Sequence, residues 1–283
     1  MPELPEVETI RRDLAAAVQG ATITAVRLHH ADILLDGGST AVFTAAMAGR
    51  RLEALERRGK NLAFRLAPGN DVLQVQVRMT GRFAVAPDDD PRGERLRADI
   101  GFSHVAAEFE LSDGRTLLYD DVRRLGGFRL QSAAEWTARE SELGPEPLAD
   151  DYRAADLAAG LGGGHAPVKN ALLDQRRVAG IGNIYASEAL HRARIDPRRA
   201  SGDLSDDEHR RLHWALRAVL REALRGDGTS LRNYQAVNGR SGRFQERLRA
   251  YGREGEPCPR CGTPIERFVQ AGRSTFFCPA CQA

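Results

Sequence analysis

The sequence predicts an α+β protein: a β-sandwich opened by a helix, then a helical half that ends in a zinc-ribbon β-hairpin. Three observations carry this. Val7, Ile10, Leu14 and Val18 follow the helical period at the start, and strand-like runs follow up to residue 130. From residue 151 the periodicity turns helical again. All four cysteines fall in the last 26 residues. At roughly 100–200 residues per domain, the chain is long enough for two domains and a small appendage.

Taken in order, residues 5–18 read as an amphipathic helix. The strand-like runs are Thr22–Leu28, Leu62–Leu66, Val72–Val77, Val105–Leu111, Thr116–Tyr119 and Phe128–Leu130. Between them, Ala86–Arg97 reads as a polar loop. Residues 1–131 thus form the expected sandwich domain, and 132–150, with its Gly-Pro-Glu-Pro stretch, the expected linker. Val168–Gln175, Ile184–Ala193 and Asp206–Arg225 are the clearest helices of a domain spanning 151–246. Val178-Ala-Gly-Ile-Gly-Asn183 is a glycine-rich turn that delivers Asn183 to the N-cap of the next helix. Free N–H groups there suit a phosphate, and an ordinary interhelical turn fits equally well. Ala236–Gly242 is a second, polar glycine-rich loop.

Residues 247–283 hold the cysteines as Cys258-Pro-Arg-Cys261, sixteen intervening residues, then Cys278-Pro-Ala-Cys281. Two C-x2-C knuckles at that spacing place four thiolates round one zinc. Ile265–Val269 and Ser274–Phe277 read as the strands of a hairpin, with Arg273 at its tip. Two disulfides are the alternative, and a chain without Cys elsewhere argues against them. Four protein ligands leave no open position, so one structural Zn2+ is expected.

Charge narrows the partner. Residues 1–150 carry 19 basic and 24 acidic side chains, and 151–283 carry 22 and 15, so the halves differ in sign at −5 and +7. A basic second half suits a polyanion, although ordinary solvated faces would also account for it. Of 41 basic residues only Lys60 and Lys169 are lysines. An ammonium can lose its proton where a guanidinium cannot, which marks both for chemistry or phosphate contact. No run approaches the ~18 apolar residues of a membrane span. The acidic opening runs straight into a helix rather than a signal peptide, so a cytoplasmic, monomeric protein is expected.

Read together, these motifs resemble one family, the bacterial formamidopyrimidine-DNA glycosylases of the Fpg/Nei group. The residues that carry the resemblance are Met1-Pro-Glu-Leu-Pro-Glu-Val-Glu, Arg58-Gly-Lys-Asn-Leu, Met79-Thr-Gly-Arg, Arg123-Arg-Leu-Gly, Ala171-Leu-Leu-Asp-Gln, Gly180-Ile-Gly-Asn-Ile-Tyr-Ala-Ser-Glu, Tyr251-Gly-Arg-Glu-Gly-Glu-Pro-Cys and the ribbon. The resemblance implies a helix-two-turn-helix domain and double-stranded DNA carrying oxidised purines or abasic sites as partner. It implies excision of 8-oxoguanine and formamidopyrimidines, then β,δ-elimination at the abasic site. It makes Pro2 the nucleophile once Met1 is removed, a role suited to an α-amine with a pKa near ~8. It makes Glu3 the proton shuttle, with Glu6 a supporting carboxylate, and Lys60 and Arg273 the phosphate-gripping residues that assist elimination. Asn183 would grip the DNA backbone, with Lys169 beside it. Met79, Arg123 and Leu125 would fill the gap left by the flipped nucleotide, and the loop around Val237 would close over the base.

The sequence also departs from the family pattern. Leu125 stands where Phe is common. Gln76-Val-Arg-Met79 lacks a usual histidine, leaving His104 as the matching DNA-contacting one. A basic cluster before Lys169 is replaced by Leu161-Gly-Gly-Gly-His165. A Nei-type enzyme for oxidised pyrimidines and a non-catalytic damage binder are the alternatives. The Leu4 opening disfavours the first, and the Pro2, Glu3 and Lys60 set disfavours the second.

Overall fold

The computed structural model describes every residue except Pro91 and residues 231–234. Pro91, inside the polar run 86–97, therefore lies outside the described residues. The chain folds as two compact units. The first comprises Met1–Pro2, Glu6–Glu140 and Asp227–Gly242, and the second Glu3–Pro5, Ser141–Gly226 and Arg243–Ala283. The chain thus changes unit just after Pro2, and the glycine-rich loop 236–242 groups with the first unit.

The first unit is a sandwich of two four-stranded antiparallel sheets. Strands β1 (Ile23–Leu28), β2 (Arg51–Arg58), β3 (Asn61–Ala67), β4 (Asp71–Gln76), β5 (Gly81–Ala86), β6 (Val105–Leu111), β7 (Thr116–Asp121) and β8 (Gly127–Ser132) form the orders β1-β6-β7-β5 and β2-β3-β4-β8. Their inner faces share one core, with Leu55, Phe64 and Phe128 from one sheet meeting Phe83, Phe109 and Tyr119 from the other. Helix α1 (Leu4–Val18) adds Val7, Ile10, Leu14 and Val18 to that core, each at most 1% exposed, as the apolar period required.

Several elements lie where the sequence reading placed none. Strand β2 buries Leu52 and Leu55 among charged residues of low β-propensity, and a register shift between Leu52 and Ala54 breaks the alternation that would have marked it. Strand β5 buries small residues, Ala84 and Ala86, against Leu118 and Phe102. Helix α2 is Thr40–Met47, and helix α3 (Glu94–Ile100) occupies part of the expected polar loop. Asp90 caps α3, its carboxylate accepting from the N–H groups of Glu94, Arg95 and Leu96. Helix α3 fully buries none of its own residues; its one apolar pair, Leu96 and Ile100, packs partly buried against the cluster of Ala84, Ala86, Leu118 and Phe102, too short a stripe to announce a helix. Helix α4 (Ala133–Ser141) lies in the expected linker and buries Trp136 against Ala63 and Val72.

In the second unit, helices α5 (Ala154–Leu161), α6 (Val168–Leu173), α7 (Asn183–Ala193) and α8 (Asp206–Arg225) surround a core of Leu157, Leu172, Tyr185, Leu190, Leu216 and Leu220. Ser205 caps α8 and Glu208 completes the capping box. Strands β9 (Glu266–Gln270) and β10 (Arg273–Phe277) form the C-terminal hairpin. Its two-residue turn has Ala271 and Gly272 at φ 47° and 73°, the left-handed pair that tight hairpins need. Among the described residues no helix is long and apolar enough to cross a membrane.

Candidate nucleic-acid interface and metal centre

The second unit includes Glu3–Pro5 and closes around Glu3. Glu3 is 3% exposed, and its carboxylate accepts from the N–H groups of Gly182, Ile184 and Tyr185 at 2.8, 2.9 and 3.3 Å. These are the orphan donors at the N-terminus of α7, and an anion there also meets the positive end of the helix dipole. The N-cap is Gly182, and Asn183 is the first residue of α7. The expectations of an Asn183 cap and of N–H groups free for a phosphate are therefore corrected: Gly182 is the cap and Glu3 holds those groups, which leaves the ordinary interhelical turn. Two glycines permit this approach. A Cβ on Gly182 would lie 2.3 Å from Glu3 Cδ, and Gly180, at φ 83°, would set one 2.7 Å from Leu4 Cβ.

The side chain of Asn183 turns to the hairpin, where Nδ2 donates to Ser274 O at 2.9 Å. Lys169 does the same from α6. It is fully buried, and its Nζ donates to Ser274 O at 3.1 Å and Thr275 Oγ1 at 2.6 Å. Burial lowers its pKa to about 8, helped by the positive charge of Arg273 and opposed by Glu3. Arg273, exposed at the first position of β10, is thus presented by a hairpin tied down one residue later. Gln270 Nε2 adds a bond to Pro197 O, and the Arg198 guanidinium lies 4.7 Å from the centre of the Phe277 ring. His165 is exposed.

The four cysteine thiols converge, with their sulfurs all within 4.8 Å of one another. Tetrahedral ligands at ~2.3 Å from a zinc ion stand about 3.8 Å apart, so four sulfurs within 4.8 Å of one another are grouped closely enough to share one zinc ion. Cys258, Cys261, Cys278 and Cys281 hold a structural Zn2+ with no position left for substrate. Sequence reasoning missed His191. It is 1% exposed on α7, and its Nε2 lies 3.4 Å from Cys258 Sγ. A ring N–H donated to a zinc-bound thiolate fixes that ligand's orientation. Helix α7 therefore braces the hairpin twice, at the tip through Asn183 and at the metal knuckle through His191.

In the first unit, the β4–β5 and β7–β8 connections come together. Met79 and Leu125 are 42% and 46% exposed, unusual for apolar side chains, and Arg123 Nη1 lies 3.4 Å from Met79 Sδ. One buried carboxylate organises both connections. Asp121 accepts from Thr80 Oγ1, from the Tyr119 hydroxyl at 3.2 Å, and from the Arg123 and Gly126 N–H groups at 3.3 and 2.9 Å. Its neighbour Asp120 is also fully buried and accepts from His104 N–H and Arg82, both at 2.6 Å. Arg82 in turn donates to Gln235 at 2.8 Å, and Asn238 Oδ1 accepts from Val85 N–H at 2.9 Å. Val237 is buried in this unit's core, so the loop is docked through neighbouring side chains.

Lys60 is half-buried in the two-residue turn between β2 and β3, where Gly59 supplies a φ of 56°. Asn61 beside it accepts from Gln74 and Gln76, both at 2.9 Å, which gives Gln76 a structural partner in place of the absent histidine. Pro2 is buried and Met1 exposed. Glu6 is 2% exposed and accepts from Thr229 N–H at 2.8 Å, an anchor that dipole complementation alone did not suggest.

A sandwich domain, a helical unit and a four-thiolate hairpin of this kind define a zinc-hairpin DNA-binding protein. The formamidopyrimidine-DNA glycosylase N-terminal domain matches residues 1–128, the H2TH domain of the same enzymes 143–235, and the zinc finger found in FPG and IleRS 255–283. The chain belongs to the formamidopyrimidine-DNA glycosylase family. It is 45% identical to the enzyme of Heliobacterium modesticaldum over the whole of both chains, and 46% to that of Chloroflexus aggregans over all of this chain and 98% of the other. Among solved structures it resembles the MutM (Fpg) protein of Thermus thermophilus, with 41% identity, a TM-score of 0.85 and coverage of 99% of this chain and 98% of the other. A Lactococcus lactis Fpg variant in complex with Fapy-dG containing DNA matches at 32% identity and a TM-score of 0.88 over 99% of both chains.

Proposed function

We propose that the protein removes oxidised purines, 8-oxoguanine and formamidopyrimidines, from double-stranded DNA and then cleaves the strand at the resulting abasic site. The supporting observation is the start of the chain. Three backbone N–H groups hold Glu3 one residue after Pro2, in a chain that matches the family from end to end. With Met1 removed, the Pro2 nitrogen becomes a secondary α-amine, with a neutral fraction at pH 7 that a lysine near ~10.4 lacks. That nitrogen attacks sugar C1′ as the C1′–base bond breaks, and the base leaves with a proton. Loss of the nitrogen's proton leaves an aminal; the C1′–O4′ bond then breaks as O4′ takes a proton, and the opened sugar is an iminium with no N–H to lose, whose positive charge draws electrons during β- and then δ-elimination.

In this reading Glu3 moves the proton at the sugar, while Lys60 and Arg273 each hold a phosphate flanking the elimination. Met79 and Leu125 enter the base stack and Arg123 pairs with the orphaned base. His104 and Asn183 contact the DNA backbone. Lys169 acts from beneath, holding the hairpin strand that carries Arg273. A chromosomal substrate implies work at the nucleoid, in the bacterial cytoplasm.

Borohydride trapping on an 8-oxoguanine duplex tests the chemistry. The adduct should map to a peptide beginning at Pro2, and a form retaining Met1 should bind the duplex yet trap nothing, because its Pro2 nitrogen is an amide. An adduct on Lys60 would overturn the nucleophile. Faster excision of thymine glycol than of 8-oxoguanine would overturn the substrate class.

A further inference from the structure

We propose that the outer face of α8 is a docking surface for an acidic protein segment anchored by one bulky apolar side chain. Helix α8 buries Leu212, Leu216, Val219 and Leu220, and that face is fully used. On the opposite face stands Trp214, 66% exposed, whereas the chain's other tryptophan, Trp136, is 2% exposed. An indole left in water forgoes a large burial free energy unless something covers it.

Trp214 lines a groove of about 330 Å³ with Arg192, Arg210 and Arg211. A second groove, of about 550 Å³, lies toward the C-terminal end of the same helix and is lined by Arg225, Arg247 and Arg249 among others. The two are joined by Arg192, whose guanidinium bridges Glu222 in the second groove at 2.7 and 2.8 Å. Seven arginines line the pair; Arg192 is ion-paired to Glu222, Arg210 and Arg211 to Asp207, and Arg253 to Glu256, which leaves Arg225, Arg247 and Arg249 as the excess positive charge. Among the described residues, the side chains of Arg225, Arg247 and Arg249 make no hydrogen bond or ion pair. An apolar anchor at one end of the face and guanidiniums without an ion pair at the other are complementary to a Leu or Phe followed at a distance by acids, and Trp and Arg are enriched among the residues that dominate such interfaces.

Lesion DNA is a poorer occupant. Asn183 and the hairpin tip stand at the N-terminal end of α7, and Arg192 lies nine residues further on, about 14 Å along the helix. Duplex bases are stacked among themselves and offer an indole nothing to cover it. The spacing also sets the ligand's design. Trp214 and Arg225 are eleven residues apart on α8, about 17 Å. That distance is roughly five residues of extended chain, so the acids should follow the anchor by about five positions.

The probe is a dye-labelled peptide of sequence Leu-Phe-Gly-Ser-Gly-Ser-Asp-Glu-Asp-Glu, with a control in which Lys replaces each acid. At low salt the acidic peptide should bind saturably and shift the emission of Trp214. Trp214→Ala and the double variant Arg247→Glu/Arg249→Glu should each weaken binding about tenfold or more. Both variants should melt with the parent and excise 8-oxoguanine at the parent rate. Absent or non-saturable binding overturns the proposal, as does equal binding of the Lys control. Displacement of the peptide by a ten-nucleotide single strand would assign the face to nucleic acid instead. Slowed excision in either variant would make it part of the DNA interface.

Discussion

Asp121 touches no candidate DNA-contacting side chain through its own charge, yet it decides where Met79, Arg123 and Leu125 stand. Its carboxylate ties Thr80 to the Arg123 and Gly126 N–H groups, and so fixes two loops as one body. In the wedge role proposed for Met79, Arg123 and Leu125, they stabilise a flipped nucleotide, which costs a few kcal/mol in an intact duplex and less at an abasic site. Arg123→Ala and Leu125→Ala should therefore slow 8-oxoguanine excision by tenfold or more, a loss of roughly 1.4 kcal/mol, while cleaving a pre-made abasic site near the parent rate. Equal losses on both substrates, measured in single turnover, would point to a folding defect. Lys169 makes a prediction of the opposite kind. Its pKa is lowered to about 8, so between about 8 and ~10.4 the folded state binds fewer protons than the unfolded chain. Stability should rise with pH across that window. Affinity for an uncleavable abasic duplex should fall over the same window, as the ammonium that donates to Ser274 and Thr275 is lost. Lys169→Met should remove both trends, and a parent-like pH profile in that variant would refute the assignment.

Helix α7 is the element on which the second unit turns, because it meets Glu3 at its start, Ser274 soon after and Cys258 near its end. Removing zinc should abolish duplex binding while leaving most of the helical circular dichroism, since the metal folds the hairpin alone. His191→Phe should lower zinc affinity about 10–100-fold in competition with a chromophoric chelator, and unchanged affinity would exclude the bond to Cys258. Much of this element structure was legible beforehand. The cysteine spacing located the hairpin, and apolar periodicity located α1, α7 and α8, with α8 matching at both ends. Strand β2 and helix α3 were not, because charged residues dominate the first and the second offers only the partly buried pair Leu96 and Ile100. The candidate site was marked in the sequence only as residue types in motif order. Its wiring was not: the partners of Glu3 lie 179 to 182 positions away in sequence, and those of Lys169 105 and 106. Local pattern carries no record of such pairings.

At the scale of the molecule, the contrast of −5 and +7 between the two stretches of sequence implies an electrostatic grip on DNA. Four or five neutralised phosphates give a log–log salt slope of about −4, which a filter-binding series between 50 and 200 mM salt would measure. A flat profile would dissociate the basic half from DNA. The clamp on Glu3 carries a last consequence, for the order of synthesis. Residue 3 leaves the ribosome first, but Gly182, Ile184 and Tyr185 follow some 180 residues later. At ~5–20 residues per second the nascent N-terminus waits roughly 10–40 s for its partners. That interval is when an aminopeptidase can remove Met1 from an unstructured end, and nascent chains stalled before residue 182 should lose it fastest. The reactive amine would then be made before the clamp that holds it exists.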